Sequence, residues 1–353
     1  MRALRLHGAL DARLESVPRP SPGPGEVLLK ITGAGICGTD GALYKIGPAI
    51  IPGRDRARWP VVPGHEFAGI VIETGAGVTE FRTGDLVASG AGVSCGDCDA
   101  CRRDRTNLCE RYWTAGVHRD GGLAEYAVVP ARTCEETSQY GVHGDTAALA
   151  QPMAIAQHAV SRGRLGAGER ALILGAGGIG TFATWAALAV GAEVTVCERS
   201  GARLAVVEGF GDVRTVPSGA EPLTEMLAPD GPWDVVYEMT GAAEPLAAAT
   251  ALVRPGGRIV LAGLQKGKPE VDTDRLALQE IDVLGTMAHV RRTDLPRALE
   301  LLGSRANGWA DVASRVLPLD EAEVALKAMT GKGGDSVKTL IDPALTRARE
   351  FSG

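Results

Sequence analysis

Residues 170–180 read RALILGAGGIG, and the meaning of this stretch decides how much of the chain folds. Ala171–Leu174 is an apolar run of strand length, Gly175-Ala176-Gly177-Gly178-Ile179-Gly180 follows as a GxGxxG loop, and Thr181–Val190 continues as an apolar helical stretch. GxGxxG alone is a weak signal, but between a strand and a helix each glycine has a task. Gly175 permits the tight turn, Gly177 lets backbone N–H groups approach a pyrophosphate, and Gly180 lets the helix pack close to the strand. The N-terminus of that helix points partial positive charge at the phosphates, with Gly178 and Ile179 in the loop as further cofactor-binding positions. At the end of the next apolar run, EVTVC (193–197), comes Glu198, whose carboxylate can accept the hydroxyls of an adenosine ribose and repel a 2′-phosphate. That predicts NAD rather than NADP. Arg199 argues the other way, since an arginine in this turn can pair with the phosphate, and Arg203 completes the expected cofactor set. A structural glycine turn without a cofactor is the plainer alternative.

Working outward, residues 153–288 alternate short apolar runs with Ala-rich helical stretches: EVTVCE, WDVVYEMTG, EPLAAATALVRPGG, RIVLAGL. This alternation predicts βαβ units around a doubly wound parallel sheet. Residues 1–152 differ in texture. EVLLKITG (26–33), FAGIVIETG (67–75), DLVAS (85–89) and LAEYAVVP (123–130) are short runs bounded by Gly and Pro, as in a β-rich domain. From 289 to 353 a helix (DLPRALELLGS) and a final strand (VKTLIDP) break the alternation, so this tail is assigned to the β-rich domain. The fold class is α/β in two domains, which suits 353 residues.

A net charge of −6 without a Lys/Arg run disfavours nucleic acid and anionic membranes as main partners. The first twenty residues lack a signal-peptide core, and no run of about 18 apolar residues occurs. A soluble, cytoplasmic protein is expected, and Cys134 and Cys197 as free thiols agree with a reducing compartment.

Cys95, Cys98, Cys101 and Cys109 form Cys-x2-Cys-x2-Cys-x7-Cys, a spacing that gathers four thiolates without distant segments having to meet. Closed all-thiolate sites are usually structural zinc, which supplies folding free energy to a loop such as SCGDCDACRRDR (94–105) that has no core of its own. An iron–sulfur cluster is the chief rival. In the ferredoxin run, however, the fourth cysteine follows after three residues and precedes proline, whereas Cys109 follows after seven and precedes Glu110. An odd total of seven cysteines in a long chain argues against a disulfide framework.

Further ligand-type residues sit on separate segments: Cys37 in GAGICGTD, His65 and Glu66 in PGHEFAGIV, and Gln151 in ALAQPMAIAQHA. Taken singly, each has an ordinary explanation as a core or hydrogen-bonded residue. Together, GICGTD, GHEFAG, the four-cysteine loop, DGGLAEYAVVP and GAGGIG, in that order, resemble the zinc-dependent medium-chain dehydrogenase family over essentially the whole chain. The texture is most similar to the polyol, threonine and sugar dehydrogenases, with aminocyclitol dehydrogenases nearby. The resemblance implies a GroES-like substrate domain and a Rossmann domain, with zinc and nicotinamide in the cleft between them. It implies a catalytic zinc held by Cys37 and His65 with Glu66 as a ligand or close alternate ligand and Gln151 at or next to the remaining ligand position, Asp40 orienting His65, and Thr39 passing the substrate proton. The metal would lower the pKa of a bound secondary alcohol, from which hydride leaves to NAD. Implied partners are a small alcohol or ketone and further copies of the chain, as dimer or tetramer.

Two positions depart from the family pattern. Gln151 stands where Glu or Cys is usual, and Ala42 replaces a His of the proton relay, leaving His118 as a candidate relay or else an exposed loop histidine. Specificity is expected from the 41–60 loop with Tyr44 and Trp59 and from the 110–120 stretch. A zinc-independent reductase on the same scaffold and a non-catalytic nucleotide-binding protein are the rivals, and both predict one zinc per chain rather than two.

Overall fold

The computed structural model describes residues 1–50, 58–264, 267, 269–330 and 336–353. The chain divides into two units, Met1–Ala154 with His289–Gly353, and Ile155–Ala288.

The first unit is organised by the strand Glu26–Ile36, which alternation and β-branched residues favour and which is buried along most of its length. Three strands pair with it antiparallel: Glu66–Thr74, Tyr126–Pro130 and, from the far end of the chain, Thr339–Asp342. The registers Gly35↔Glu66 and Ile36↔Thr339 bring the segments that begin at Cys37, Glu66 and Lys338 to one end of the sheet. Gly35 matters at this crossing, because a Cβ there would collide with the Glu66 carboxylate. The core beneath joins Leu29, Ile31, Phe67, Val87 and Tyr44. An N-terminal hairpin, Arg2–Gly8 with Asp11–Ser16, buries Leu4 and Leu6 and was not anticipated from sequence. The helix expected at DLPRALELLGS begins earlier and spans Arg291–Gly303.

The second unit is a six-stranded parallel sheet in the order 213–217, 193–198, 170–174, 233–238, 253–261, 282–285. The order reverses between Arg170–Leu174 and Trp233–Glu238, which is the switch point where doubly wound sheets bind ligands. Two details differ from expectation. Val253-Arg254-Pro255-Gly256-Gly257 belongs to the strand Val253–Leu261, the preceding helix stopping at Leu252. VRTVP (213–217), not anticipated from sequence, is an edge strand half-buried at Val213, Thr215 and Val216 and exposed at Arg214 and Pro217. Trp233, Val236, Leu172 and Ile259 lie in the core of this unit. Among the described residues no helix is long and apolar enough to cross a membrane.

Candidate metal centres and cofactor site

The four cysteines of the 95–109 loop converge, with all ligand atoms within 4.8 Å of one another. Sγ–Sγ separations are 3.8 Å for Cys95–Cys101, 3.5 Å for Cys98–Cys101 and 3.4 Å for Cys95–Cys109. Zn–S bonds of 2.3 Å in a tetrahedron require edges of about 3.8 Å, so the loop fits zinc with little movement. Local backbone already favours thiolate at one corner: N–H groups of Cys101 and Glu110 lower the Cys98 thiol to about 6. Burial pushes Cys101 up to about 12, so a cation is needed to complete the set.

A second cluster joins Cys37, His65 and Glu66, again with ligand atoms within 4.8 Å. Cys37 precedes the helix Gly38–Ile46, and Asp40 lies in that helix's first turn, fully buried. One carboxylate ties the two ligand segments together. Asp40 Oδ2 accepts the Cys37 N–H at 2.9 Å, while Oδ1 accepts the Gly64 N–H and lies beside His65 Nδ1, both at 3.2 Å. A carboxylate on Nδ1 fixes the imidazole and leaves Nε2 as its other donor atom. Burial disfavours the His65 imidazolium, but Asp40 and Cys37 outweigh it and hold the pKa well above the ordinary value, so metal capture would displace a proton. This thiolate, imidazole and carboxylate set suits zinc.

Glu66 has a partner that the sequence did not reveal. Lys338 Nζ reaches both carboxylate oxygens, Oε1 at 2.6 Å, and the two side chains are 3% and 1% exposed. Burial opposes the ammonium, yet Glu66 and Cys37 keep the Lys338 pKa raised. A lysine opening an apolar final strand was the only available signal.

The other expected residues are placed as follows. Gln151 is buried in the first turn of the helix Ala150–Arg162. Thr39 is half-buried next to Asp40, and Ala42 lies on the same helix. His118 is buried, with Nδ1 accepting the Thr114 N–H at 3.0 Å, so it is not an exposed loop histidine. Tyr44 is 3% exposed within the core, its hydroxyl 3.4 Å from Glu323, and is a packing residue rather than one that lines a cleft. Trp59 packs against the same core, and residues 51–57 of that loop lie outside the described residues.

In the second unit the glycine loop has the predicted geometry. Gly175 adopts φ +97°, a Cβ on Gly180 would collide with the Gly175 carbonyl, and Gly177 faces open space where a pyrophosphate would approach. The helix Gly178–Val190 starts there. Beside it lies a cavity of about 350 Å³ bordered by Gly175, Gly177, Glu198, Arg199, Arg203 and Thr240. Glu198 Oε2 accepts the Ala176 N–H at 2.8 Å and Oε1 accepts those of Arg199 and Ser200 at 2.8 and 3.0 Å. A carboxylate has about four lone-pair sites, so capacity for a ribose hydroxyl remains. Arg203 stands 3.9 Å from the same carboxylate. Glu238, also missed in the sequence, is fully buried and accepts the N–H groups of Thr240 (2.7 Å) and Gly241 (3.0 Å), which shapes the opposite rim.

Residues 23–139 match the alcohol dehydrogenase GroES-like domain and residues 178–304 the zinc-binding dehydrogenase family. The chain is 34% identical to an L-threonine 3-dehydrogenase of Pyrococcus abyssi over 95% of its length and 97% of that protein. It is 34% identical to an L-galactonate-5-dehydrogenase of Escherichia coli K12 over 76% of its length and 77% of the relative. A Sinorhizobium meliloti 1021 protein solved bound to NADP superposes with a TM-score of 0.86 at 31% identity, covering 97% of this chain and 99% of that one. The GroES-like and Rossmann units, the two thiolate-containing clusters and this similarity along the whole chain give one conclusion: the protein is an oxidoreductase belonging to the zinc-dependent medium-chain dehydrogenase family.

Proposed function

We propose that the protein oxidises a secondary alcohol of a polyol, sugar or cyclitol to the ketone, with NAD as hydride acceptor and one catalytic and one structural zinc. The observation that carries this reading is the Cys37–His65–Glu66 cluster, buried at His65 and Glu66 and braced by Asp40, a set that neither a zinc-independent reductase nor a nucleotide-binding protein without turnover requires. When bound, zinc supplies Lewis acidity that lowers the pKa of the alcohol, and the nicotinamide ring takes the hydride.

The protein's own residues do the rest. Asp40 holds His65 in one tautomer and Cys37 in one backbone position. Gln151 serves as a neutral oxygen ligand, and Thr39 carries the substrate proton outward. Lys338 neutralises Glu66, so that the metal's protein ligands carry less negative charge and its acidity toward the alcohol is greater. Glu198 favours NAD, with Arg199 and Arg203 as the competing elements. Similarity to threonine and galactonate dehydrogenases supports a polar secondary alcohol as substrate. The edge strand Asp282–Gly285, with Val283 43% and neighbouring Leu278 86% exposed, supports pairing with a second copy. Cys134 and Cys197, free thiols outside both metal clusters, support a reducing, cytoplasmic location.

The test is purified protein assayed with NAD and NADP against polyols, sugars, hydroxy amino acids and aminocyclitols, with zinc measured on the same sample. Turnover with two zinc ions per chain sustains the reading. Turnover with one zinc, held by the Cys95 loop, replaces it with the zinc-independent reductase.

A further inference from the structure

The first unit contains a second cavity, of about 200 Å³, that no residue of the dehydrogenase site borders. Its wall includes Ser94, Tyr112, Arg132, His289, Arg291 and Arg292, with three guanidinium groups and no carboxylate in the lining. The charges around it do not cancel. Arg132 donates to the Ser94 carbonyl at 3.1 Å and has no carboxylate partner among the described residues. Arg291 pairs with Glu135 at 2.7 Å and donates to the Cys134 carbonyl, while its Nε is buried without an acceptor. Arg292 is 83% exposed and only approaches Asp104, at 3.9 Å.

Backbone adds to this field. Arg291 and Arg292 are the first two residues of a 13-residue helix whose N-cap, Val290, has no side-chain oxygen to cap it. Their N–H groups have no intrahelical acceptor, and the helix dipole places partial positive charge at the same end. The nearby carboxylate of Asp294 is engaged by the Val290 N–H at 2.6 Å. Planar guanidinium forks, hydroxyls and a helix start are the donors that recognise a tetrahedral oxyanion.

We propose that this cavity binds a phosphate group, either inorganic phosphate or a small phosphate monoester, at a site separate from the alcohol and cofactor sites. Binding is measured on the zinc-loaded enzyme with saturating NADH, which occupies the other arginine-lined cavity. Isothermal titration uses inorganic phosphate and glycerol 3-phosphate in parallel, at ionic strength matched with chloride.

Saturable binding is expected, weakened at least tenfold by Arg132→Ala and by Arg292→Glu, while alcohol turnover without phosphate stays unchanged in both. Equal affinity for the two ligands assigns free phosphate as the occupant, and tenfold tighter glycerol 3-phosphate assigns a monoester. Arg292→Glu lies on the surface and decides the matter alone if Arg132→Ala does not fold. No saturable binding to the wild type, or undiminished binding to Arg292→Glu, overturns the assignment. Neither result touches the dehydrogenase reading, which rests on other residues.

Discussion

Replacing Lys338 with methionine keeps most of the side chain's apolar stem and removes its charge, leaving the Glu66 carboxylate buried at 1% exposure without a cation. Deleting one partner of a buried ion pair costs about 3–5 kcal/mol. In a unit of this size each kcal/mol moves the midpoint by about 2–4 °C, so zinc-free Lys338→Met should melt roughly 6–20 °C below zinc-free wild type. Zinc should narrow the gap, because the freed carboxylate can then turn to the metal. If the metal recovers about 2 kcal/mol of the loss, zinc binds the Cys37 site about 30-fold more tightly in the variant. Calorimetry of both proteins, each with and without zinc, isolates this effect, since the Cys95 site contributes equally to both. Lys338→Arg should behave like wild type. A zinc-free Lys338→Met within about 2 °C of wild type, or a deficit that zinc leaves untouched, would refute the claim that lysine and metal compete for Glu66.

Cys98→Ser should lose one zinc per chain and much of its soluble yield before any chemical step is affected, as metal analysis and gel filtration would reveal. Cys37→Ser should lose the other zinc and all alcohol oxidation while keeping the circular dichroism of the wild type, and retained turnover would remove Cys37 from the mechanism. Gln151→Glu should hold zinc more tightly and move the pH–turnover profile upward, because an added anionic ligand makes the metal a weaker acid and raises the pKa of the bound alcohol. Glu198→Gln should lower the NAD-to-NADP ratio of kcat/KM by about 10- to 100-fold, the worth of a charged hydrogen bond, and an unchanged ratio would give the discrimination to Arg199 and Arg203.

Both units were legible because their signals are local. GAGGIG sits between a strand and a helix, and the cysteines of the 95–109 loop follow one another within a few residues. The grouping of Cys37, His65 and Glu66 is another matter, since three segments share no spacing and only the order of motifs joined them. Lys338 was beyond reach for the same reason: its neighbour Glu66 is set by the registers of two strands on Glu26–Ile36. Tyr44 was misplaced because a tyrosine in a loop near a site resembles a specificity residue until packing is known. VRPGG was read as a helix end because proline and glycine punctuate turns, yet these residues sit in a register shift of the parallel pairing with strand 233–238, between Val253 and Arg258, with Gly256 at φ +67°.

The Glu66–Lys338 pair also has a history within each molecule. Its members are 272 positions apart, and at synthesis rates of about 5–20 residues per second the lysine emerges roughly 15–50 s after the glutamate. During that interval the ribosome presents Cys37, His65 and a glutamate with no counter-cation, and the nucleotide unit is made before the final strand arrives. Zinc that reached the nascent chain would therefore meet a more anionic set of side chains than the finished protein offers. Arrival of residues 338–342 adds a strand beside Glu26–Ile36 and sets Lys338 on the Glu66 carboxylate, so the cluster's negative charge is offset only when that segment is in place.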